Sequence, residues 1–341
     1  MNNIGYACVN MTLAEDNITT GRTVRKATWQ KNGLDVISEK ALLNVKDLIT
    51  ITKWNYENGY KLFRVGSELI PWIDHYDLEE LKDWKEIKSL LKQVGDLAKE
   101  YGIRLTSHPG QYRVLCSPNQ DVVERTIREL DYDSLLFDLM GFEPSHYNKI
   151  NIHIGGAYGD KQSAMDRWIT NWHRLSDNTK KRLVIENDDK PSMYTVEDLM
   201  YVHEQIGIPI TFDYYHHSLN PGSLTEQQAL EKAMSTWPKD IIPCTHYSEC
   251  RRDEQQTIIQ EIFRKNRIDY DKLDEWPTFK KLHDDFQKIK ITAHSDYIIN
   301  EINTYGHQVD VMVEAKAKEL ATEQYRKKYQ NNLKKTPILL G

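Results

Sequence analysis

The sequence lacks the features that would place it in a membrane or an oxidising compartment. Its 341 residues contain no apolar run near the roughly 18 residues that a membrane-spanning helix requires. The N-terminus, MNNIGYACVNMTLAEDN, has no charged segment followed by a long apolar stretch, so we expect no signal peptide. The four cysteines form no CxxC pair, which favours a reducing compartment. We therefore expect a cytoplasmic protein without a membrane partner.

Signatures of nucleotide-driven and serine chemistry are also missing. No P-loop, kinase signature or G-x-S-x-G motif occurs, so neither a nucleotide cofactor nor a serine nucleophile is expected. The net charge of −6 argues against a uniformly basic nucleic-acid-binding surface. A local positive channel is compatible with that charge, because bound divalent cations would offset part of it.

What the sequence does contain is a series of short apolar runs, each typical of a buried parallel strand. Helix-like stretches separate most of the runs. This alternation predicts an α/β fold, a single (β/α)8 TIM barrel over residues 1–341, a length within the range of such barrels. The predicted strands are residues 3–9, 61–65, 104–107, 149–154, 183–186, 209–213, 240–246 and 309–314.

One segment breaks the alternation. Residues 251–290 contain ten Lys or Arg and nine Asp or Glu, and we interpret them as a charged insertion over the rim between strands seven and eight. No internal repeat, low-complexity tract or Gly/Ser linker occurs, which favours one domain. A charged helix is predicted to close the chain from Ala315 to about Leu333.

Acidic and imidazole side chains stand at or just after the C-terminal ends of the predicted strands. In a β/α barrel these ends open onto the face where chemistry takes place. His, Asp and Glu without clustered thiolates suit Mn²⁺ or Zn²⁺, and Mg²⁺ less well because it prefers oxygen ligands. The sequence therefore predicts a metal cluster at the C-terminal mouth. The candidates are His108, His153, Glu186, Asp213, His216, His246, His294 and Glu314, with His75 in the loop after strand two.

The same residues indicate a reaction class. A lone histidine on a strand is usually an ordinary core or surface residue, but several at equivalent strand ends favour metal binding. Glu186 is expected to bridge two cations, because a buried unpaired carboxylate would be costly. Two or three divalent cations about 4 Å apart suit attack on a phosphodiester, so metal-assisted hydrolysis is the favoured chemistry.

The ordered motifs GYACVN, SHPGQY, NIHIGG, VIENDD, FDYYHH, AHSDYI and DVMVEAKAKE resemble those of the UV-damage endonucleases, relatives of the apurinic endonuclease IV family. The resemblance covers roughly residues 3–320. It implies an ATP-independent DNA repair endonuclease that nicks immediately 5′ to UV photoproducts, cyclobutane dimers and 6-4 products, leaving a 3′-hydroxyl and a 5′-phosphate. It also implies two to three Mn²⁺ ions, with Zn²⁺ or Mg²⁺ as alternatives. UV-damaged double-stranded DNA is the implied partner of a monomer associated with the nucleoid. Activity at abasic sites is a further expectation.

The resemblance assigns roles position by position. Gln111 and Tyr112 match a pair that wedges into the duplex to probe the lesion, and Tyr6 and Asn10 match residues lining the damaged-base pocket. The metal candidates above match the family's metal sites, and the implied catalytic set is Glu186, Asp213, His246 and Glu314. Basic residues suited to DNA phosphates are Arg113, Lys161, Arg251, Arg252 and Lys316.

One position departs from the family pattern, which has a lysine two residues before the strand-seven histidine. Here that position is Cys244, which strand parity places on the same face as His246. The family's lysine can be carboxylated and act on a third ion, and a cysteine cannot, so the occupancy of the third site is left open. An inert barrel residue is favoured over a thiolate ligand.

Three other functions are left open. An endonuclease acting mainly at abasic sites would share the metals but not the base probe. A metal-dependent sugar isomerase would need a sugar-sized pocket and would ignore DNA. A non-catalytic DNA-binding module is disfavoured, because it has no use for a buried ligand cluster and the net charge does not suit generic DNA affinity.

Overall fold

The apolar and β-branched runs form eight strands, all parallel, as the sequence predicts. The computed structural model describes residues 1–330, so residues 331–333 at the end of the predicted C-terminal helix lie outside the described residues. The sheet order is β6-β5-β4-β3-β2-β1-β8-β7. The strands are β1 Ile4–Ala7, β2 Leu62–Val65, β3 Arg104–Ser107, β4 Ile150–His153, β5 Leu183–Glu186, β6 Ile210–Thr211, β7 Cys244–Tyr247 and β8 Asp310–Val313.

The sheet closes between β6 and β7. The His246 N–H donates to the carbonyl oxygen of Phe212 at 2.9 Å, and Asp213 pairs with His246 as an isolated parallel bridge. The structure thus confirms a (β/α)8 TIM barrel, and its closure sets two candidate ligands opposite each other. The predicted seventh strand begins only at Cys244, since Pro243 has no N–H to donate to a ladder.

Helices on the outside cover the strands. Most follow the helix-like stretches between the predicted strands, and the Thr195 hydroxyl caps its helix by accepting from the Asp198 N–H at 3.2 Å. The helices are α1 Met11–Ala14, α2 Lys26–Asn32, α3 Asp35–Glu57, α4 Trp84–Tyr101, α5 Gln120–Leu139, α6 Lys161–Trp172, α7 Asp177–Lys180, α8 Val196–Ile206, α9 Tyr214–Leu219, α10 Glu226–Ser235, α11 Arg251–Asn266, α12 Pro277–Gln287 and α13 Glu319–Tyr325. Short 3₁₀ turns lie at Ile73–His75, Leu78–Glu80, His146–Asn148 and Tyr270–Glu275, and a π-helical turn at Arg326–Gln330.

The charged segment after β7 forms the helical pair α11 and α12. Its own small apolar cluster consists of Ile259, Phe263, Ile268 and Phe286. The run KITAHSDYI follows this helical pair in the chain and makes only one isolated bridge, between His294 and Cys250. That bridge places His294 near the mouth. The last helix begins at Glu319 rather than Ala315, because Lys318 has a φ of 54°.

The barrel has two apolar layers. The larger one lies between the strands and the helices, and a smaller one inside the barrel includes Ala7, Leu62, Val184 and Met312. Strand β1 approaches β2 so closely that a Cβ on Gly5 would lie 2.2 Å from the Leu62 carbonyl oxygen. None of the helices among residues 1–330 is long and apolar enough to cross a bilayer.

Candidate metal centre

Glu186, the last residue of β5, lies at the centre of the predicted cluster and is fully buried. Its Oε1 is 3.0 Å from His246 Nδ1 and 3.4 Å from His216 Nδ1. Its Oε2 is 3.2 Å from His108 Nε2 and 3.9 Å from His153 Nε2. Four histidines, which lie at or just after the ends of four different strands, therefore meet at the Glu186 carboxylate.

Two further carboxylates complete the cluster. Glu314 follows β8, and its Oε1 is 3.3 Å from His246 Nδ1. The Asp213 side chain caps α9, since its Oδ1 accepts from the His216 N–H at 2.7 Å. Its other oxygen, Oδ2, is buried and has no hydrogen-bond partner. A buried carboxylate oxygen without a partner is costly, so this atom marks a place for a cation.

Among the described residues, three sets of side chains have ligand atoms within 4.8 Å of one another. Glu186 and His246 each belong to two of the sets, as expected for ligands shared between neighbouring cations. Mixed imidazole and carboxylate donors suit Mn²⁺ or Zn²⁺. The residues present thus fit a centre of two or three divalent cations. The sets are His108, Glu186 and His246; His153, Glu186 and His216; and Asp213, His246 and Glu314.

The carboxylates control the charge of two histidines. Burial lowers the pKa of His153, but Asp188 and Glu186 outweigh it and raise that pKa to about 10. Burial also lowers the pKa of His216, and Asp213 and Glu186 raise it to about 9. Without cations, both rings therefore carry a proton at neutral pH, which a cation must displace.

The two glutamates remain ionised. Burial alone would raise the pKa of Glu186, but His246 and His153 hold it well below its usual range. For Glu314, burial acts in the same upward direction and is outweighed mainly by Arg64, which forms an ion pair with it. Both carboxylates are therefore ready to bind cations across the physiological pH range.

A buried lysine that was not among the predicted site residues contacts His246 from inside the barrel. Lys149 precedes β4, and its Nζ is 3.1 Å from His246 Nε2, 2.9 Å from Thr211 Oγ1 and 3.3 Å from the Cys244 carbonyl oxygen. It also bonds Asn151, whose amide donates to Glu186. Contacts of this kind fix the orientation of ligand rings.

A pattern in the sequence does point to these residues. Positions 149, 151 and 153 alternate along KINIH, so Lys149 and Asn151 share a strand face with the ligand His153. The sequence indicates less clearly that Arg64 and Asp188 belong to the site. Asp188 lies in the ENDD motif, and its Oδ1 is 3.1 Å from His153 Nδ1.

Cys244 behaves as a barrel residue. It is fully buried against Ala7, Leu62, Val184 and Met312, residues of four other strands, and burial raises the pKa of its thiol. Its thiol belongs to none of the three sets found within residues 1–330. An apolar role therefore fits it better than a ligand role.

Two of the predicted ligands lie apart from the three sets. His294 borders them, with its Nδ1 3.8 Å from Glu314 Oε2. The structure does not bring His75 to the cluster. Its Nδ1 is 2.7 Å from Asp74 Oδ1, and its ring packs edge-on against Trp29 and Trp72. The place of His75 among the ligands stays a prediction.

The expected probe residues protrude beside the cluster. Gln111 and Tyr112 are exposed at the tip of the loop after β3, with 77% of Tyr112 accessible. Gln111 borders a cavity of about 330 Å³ that His153 and His216 also line. Tyr112 borders a second cavity, of about 740 Å³. The tip therefore stands between the two cavities.

Tyr6 and Asn10, the two residues expected to line a damaged-base pocket, lie in the interior of the fold. Both are fully buried, and the Tyr6 hydroxyl donates to Asn55 at 2.7 Å and accepts from Asn10 at 2.8 Å. The Tyr6 ring packs edge-on against Tyr60 and Phe63. The place of Tyr6 and Asn10 in a damaged-base pocket stays a prediction.

Most of the basic residues expected to contact DNA phosphates already pair with another side chain of this protein. Arg113 pairs with Glu129, and Lys161 Nζ is 3.0 Å from Asp198. Lys316 is exposed. The remaining pairs are Arg251 with Asp296 at 3.5 Å and Arg252 with Gln287 at 3.0 Å.

Comparison with known proteins gives a consistent result. A family model described as UV-endonuclease UvdE matches residues 2–336. The UV-damage endonuclease of Schizosaccharomyces pombe is 32% identical over 338 residues, which are 96% of this chain and 50% of that protein. The UV DNA damage endonuclease of Clostridium perfringens is 34% identical over 267 residues, 77% of this chain and 59% of that protein. The chain thus spans about half the length of these curated relatives.

A solved structure supports the same grouping. The crystal structure of SacUVDE matches with a TM-score of 0.76 and 29% identity, covering 98% of this chain and 100% of that one. The similarity therefore extends over the whole barrel.

Proposed function

The chain belongs to the UV-endonuclease UvdE family, and from that premise we propose that it is a metal-dependent DNA repair endonuclease for UV-damaged double-stranded DNA. It nicks the phosphodiester bond immediately 5′ to cyclobutane dimers and 6-4 products, leaving a 3′-hydroxyl and a 5′-phosphate. The observation that carries this proposal is the Glu186-centred cluster beside the exposed Gln111-Tyr112 tip.

The cofactor we propose is Mn²⁺, in two to three ions held by the three ligand sets. When bound, such cations lower the pKa of a water molecule and stabilise charge on the attacked phosphate and the leaving oxygen. Glu186 and His246 connect the sets. With Asp213 and Glu314 they form the proposed catalytic group.

The residues around the cluster keep its ligands in place. The ion pair with Arg64 holds Glu314, and Lys149 holds the His246 ring from the side opposite the carboxylates. Beneath them the apolar barrel interior excludes water, which strengthens these electrostatic contacts.

Lesion selectivity is proposed to come from the Gln111-Tyr112 tip. A photoproduct stacks and pairs poorly, so extruding it costs less than extruding normal bases. The exposed Tyr112 ring can fill the vacated stack, and the Gln111 amide can bond to the orphaned bases. Lys316, which is exposed, is proposed to contact a DNA phosphate.

Cleavage at abasic sites is a second activity that we propose for the same cations. An abasic site has no base to extrude, so it requires the metal ligands but not the tip. Neither Gln111 nor Tyr112 belongs to a ligand set among the described residues, which favours this additional activity.

We further propose a single-domain monomer whose charged insertion spans about residues 251–290. A photoproduct is not palindromic, so recognising it requires no twofold symmetry. The protein is placed in the cytoplasm, on the nucleoid when it acts on DNA, because its proposed substrate is genomic.

A nicking assay on end-labelled duplexes tests the function. One duplex carries a single cyclobutane dimer, one an abasic site and one no damage, each incubated with Mn²⁺ or with EDTA. A Mn²⁺-dependent cut directly 5′ of the dimer, with a 3′-hydroxyl, is expected. Cutting of the abasic duplex alone would make the protein an abasic-site endonuclease. No cutting of any duplex would reject a nuclease function and leave the sugar-isomerase alternative.

A further inference from the structure

The probe tip is a tight turn over residues 110–113. The Arg113 N–H donates to the Gly110 carbonyl oxygen at 3.1 Å, so Gln111 and Tyr112 occupy the two central positions. A short turn with two exposed central residues needs support from elsewhere to hold one conformation. The support for this turn comes from Arg113.

The Arg113 side chain folds back beneath the turn instead of extending into solvent. A Cβ on Gly110 would lie 3.4 Å from Arg113 Nη1, which places the guanidinium directly under the backbone of the tip. The same guanidinium forms an ion pair with Glu129 of α5, and only 19% of the Arg113 side chain and 11% of the Glu129 side chain are accessible. The turn is thus attached to a helix through a largely buried pair.

Helix α5 presents two carboxylates to this arginine. Glu129 and Asp133 are both buried and lie one helical turn apart. Burial raises the pKa of Asp133 to about 7, and Arg113 acts in the opposite direction. Arg113 therefore supplies positive charge to two buried acids of the same helix, which strengthens the attachment of the turn to α5.

The chain after the turn is attached to the same helix. The Val114 N–H donates to Thr126 Oγ1 of α5 at 3.2 Å, and Leu115 is fully buried. On the other side the turn follows His108, a member of a ligand set. The tip is therefore fixed between the metal centre and α5.

We infer that Arg113 is a positioning residue, which through its pair with Glu129 holds the 110–113 turn in the form that presents Gln111 and Tyr112 to a lesion. This inference rests on the proposed function and gives its lesion selectivity a structural cause. It replaces the expectation that Arg113 contacts a DNA phosphate, because its guanidinium is already engaged beneath the turn.

The direct test is hydrogen exchange of the turn in the full-length protein without DNA or metal. Arg113→Met is expected to increase amide exchange across residues 109–116 and leave α5 and the strands unchanged. Glu129→Gln keeps the arginine but removes its anchor, and should give the same local increase with less risk to folding. Arg113→Lys should restore part of the protection, since it retains the charge.

Binding measurements then connect the turn to recognition. With EDTA present, Arg113→Met and Glu129→Gln should weaken binding to a dimer-containing duplex by roughly three- to tenfold, the range of a partly buried ion pair. Binding to undamaged duplex should change less. Arg125→Met is the matched control, because exposed Arg125 borders the same 740 Å³ cavity and lies outside the turn.

The outcomes are distinguishable. Unchanged exchange in both variants, or equal loss of affinity for damaged and undamaged DNA with the salt dependence of a lost phosphate contact, would overturn the positioning role. A wild-type protein without preference for the dimer would overturn the proposed function and this inference with it. Because the preference for the dimer is measured on the wild-type protein alone, a failure of the proposed function can be distinguished from a failure of the positioning role.

Discussion

A single carboxylate, Glu186, faces four imidazoles at the floor of the barrel mouth. Burial opposes its ionisation, yet His246 and His153 hold its pKa well below the usual range. In the protein without cations, protons on His153 and His216 balance the negative charge. Divalent cations would replace those protons, so metal binding and proton release are coupled at the level of individual residues.

Replacement of Glu186 tests its central position. Glu186→Gln keeps the side-chain shape but removes the charge that two ligand sets share, so Mn²⁺ binding should fall sharply and nicking by at least about a hundredfold. Isothermal titration and the nicking assay measure these losses. The circular dichroism spectrum of the variant should match the wild type. Preserved nicking would contradict the assignment.

The affinity for Mn²⁺ should depend on pH. The raised pKa values of His153, about 10, and His216, about 9, mean that both rings are protonated in the metal-free protein at neutral pH. The affinity should therefore rise between pH 6 and pH 9, as displacing these protons becomes easier. Calorimetry in buffers of different ionisation enthalpy measures the protons released. A pH-independent affinity without proton release would contradict this electrostatic description.

Among the elements, β4 shows what could be inferred from the sequence and what could not. The residues of β4 themselves were enough to predict its apolar run and its terminal His153. The same holds for the other strand ends that carry ligands. The contact of Lys149 with His246 joins residues 97 positions apart, and that of Arg64 with Glu314 joins residues 250 apart. Local patterns do not encode such distant pairs.

The burial of Tyr6 also depends on a contact between residues far apart in the chain. Tyr6 ends up buried because α3 brings Asn55 against its hydroxyl, and Asn10 completes that network. The N-terminal motif by itself does not indicate this packing, which places both side chains in the interior. Gln111 and Tyr112, which the family resemblance singled out, are exposed, and the Pro-Gly sequence before them is typical of a surface turn.

Another prediction concerns Tyr112 in the turn over residues 110–113. Tyr112→Ala removes the ring that would fill the vacated stack, so nicking at a cyclobutane dimer should fall by roughly ten- to a hundredfold, the equivalent of about 1–3 kcal/mol of stacking. Cleavage at an abasic site, which needs no base extrusion, should change much less. Rates on both substrates, measured under single-turnover conditions, check this. Equal losses would remove the probe role.

At the scale of the whole molecule, the barrel assembles ligands from strands far apart in the chain. Glu186 ends β5, Glu314 follows β8, and His108 follows β3, so the centre forms only in the folded state. Any cation bound there should stabilise the entire barrel, because it binds the folded chain in preference to the unfolded one.

Thermal unfolding should therefore depend on the metal. At a Mn²⁺ concentration about 100 times the dissociation constant, the stabilisation is about 2.7 kcal/mol, which should raise the Tm by several degrees. Scanning calorimetry with Mn²⁺ and with EDTA measures the shift. Glu186→Gln is the control, and its Tm should respond much less to Mn²⁺. An identical shift in both proteins would place the stabilising cation elsewhere.

An anomalous difference map from crystals of the wild-type protein loaded with Mn²⁺ is the most direct test of the metal centre. Two or three peaks are expected within the mouth, each surrounded by one of the three ligand sets, with Glu186 adjoining two of them. A map at saturating Mn²⁺ with no peak beside Glu186 would contradict a metal centre and the hydrolytic function proposed for it.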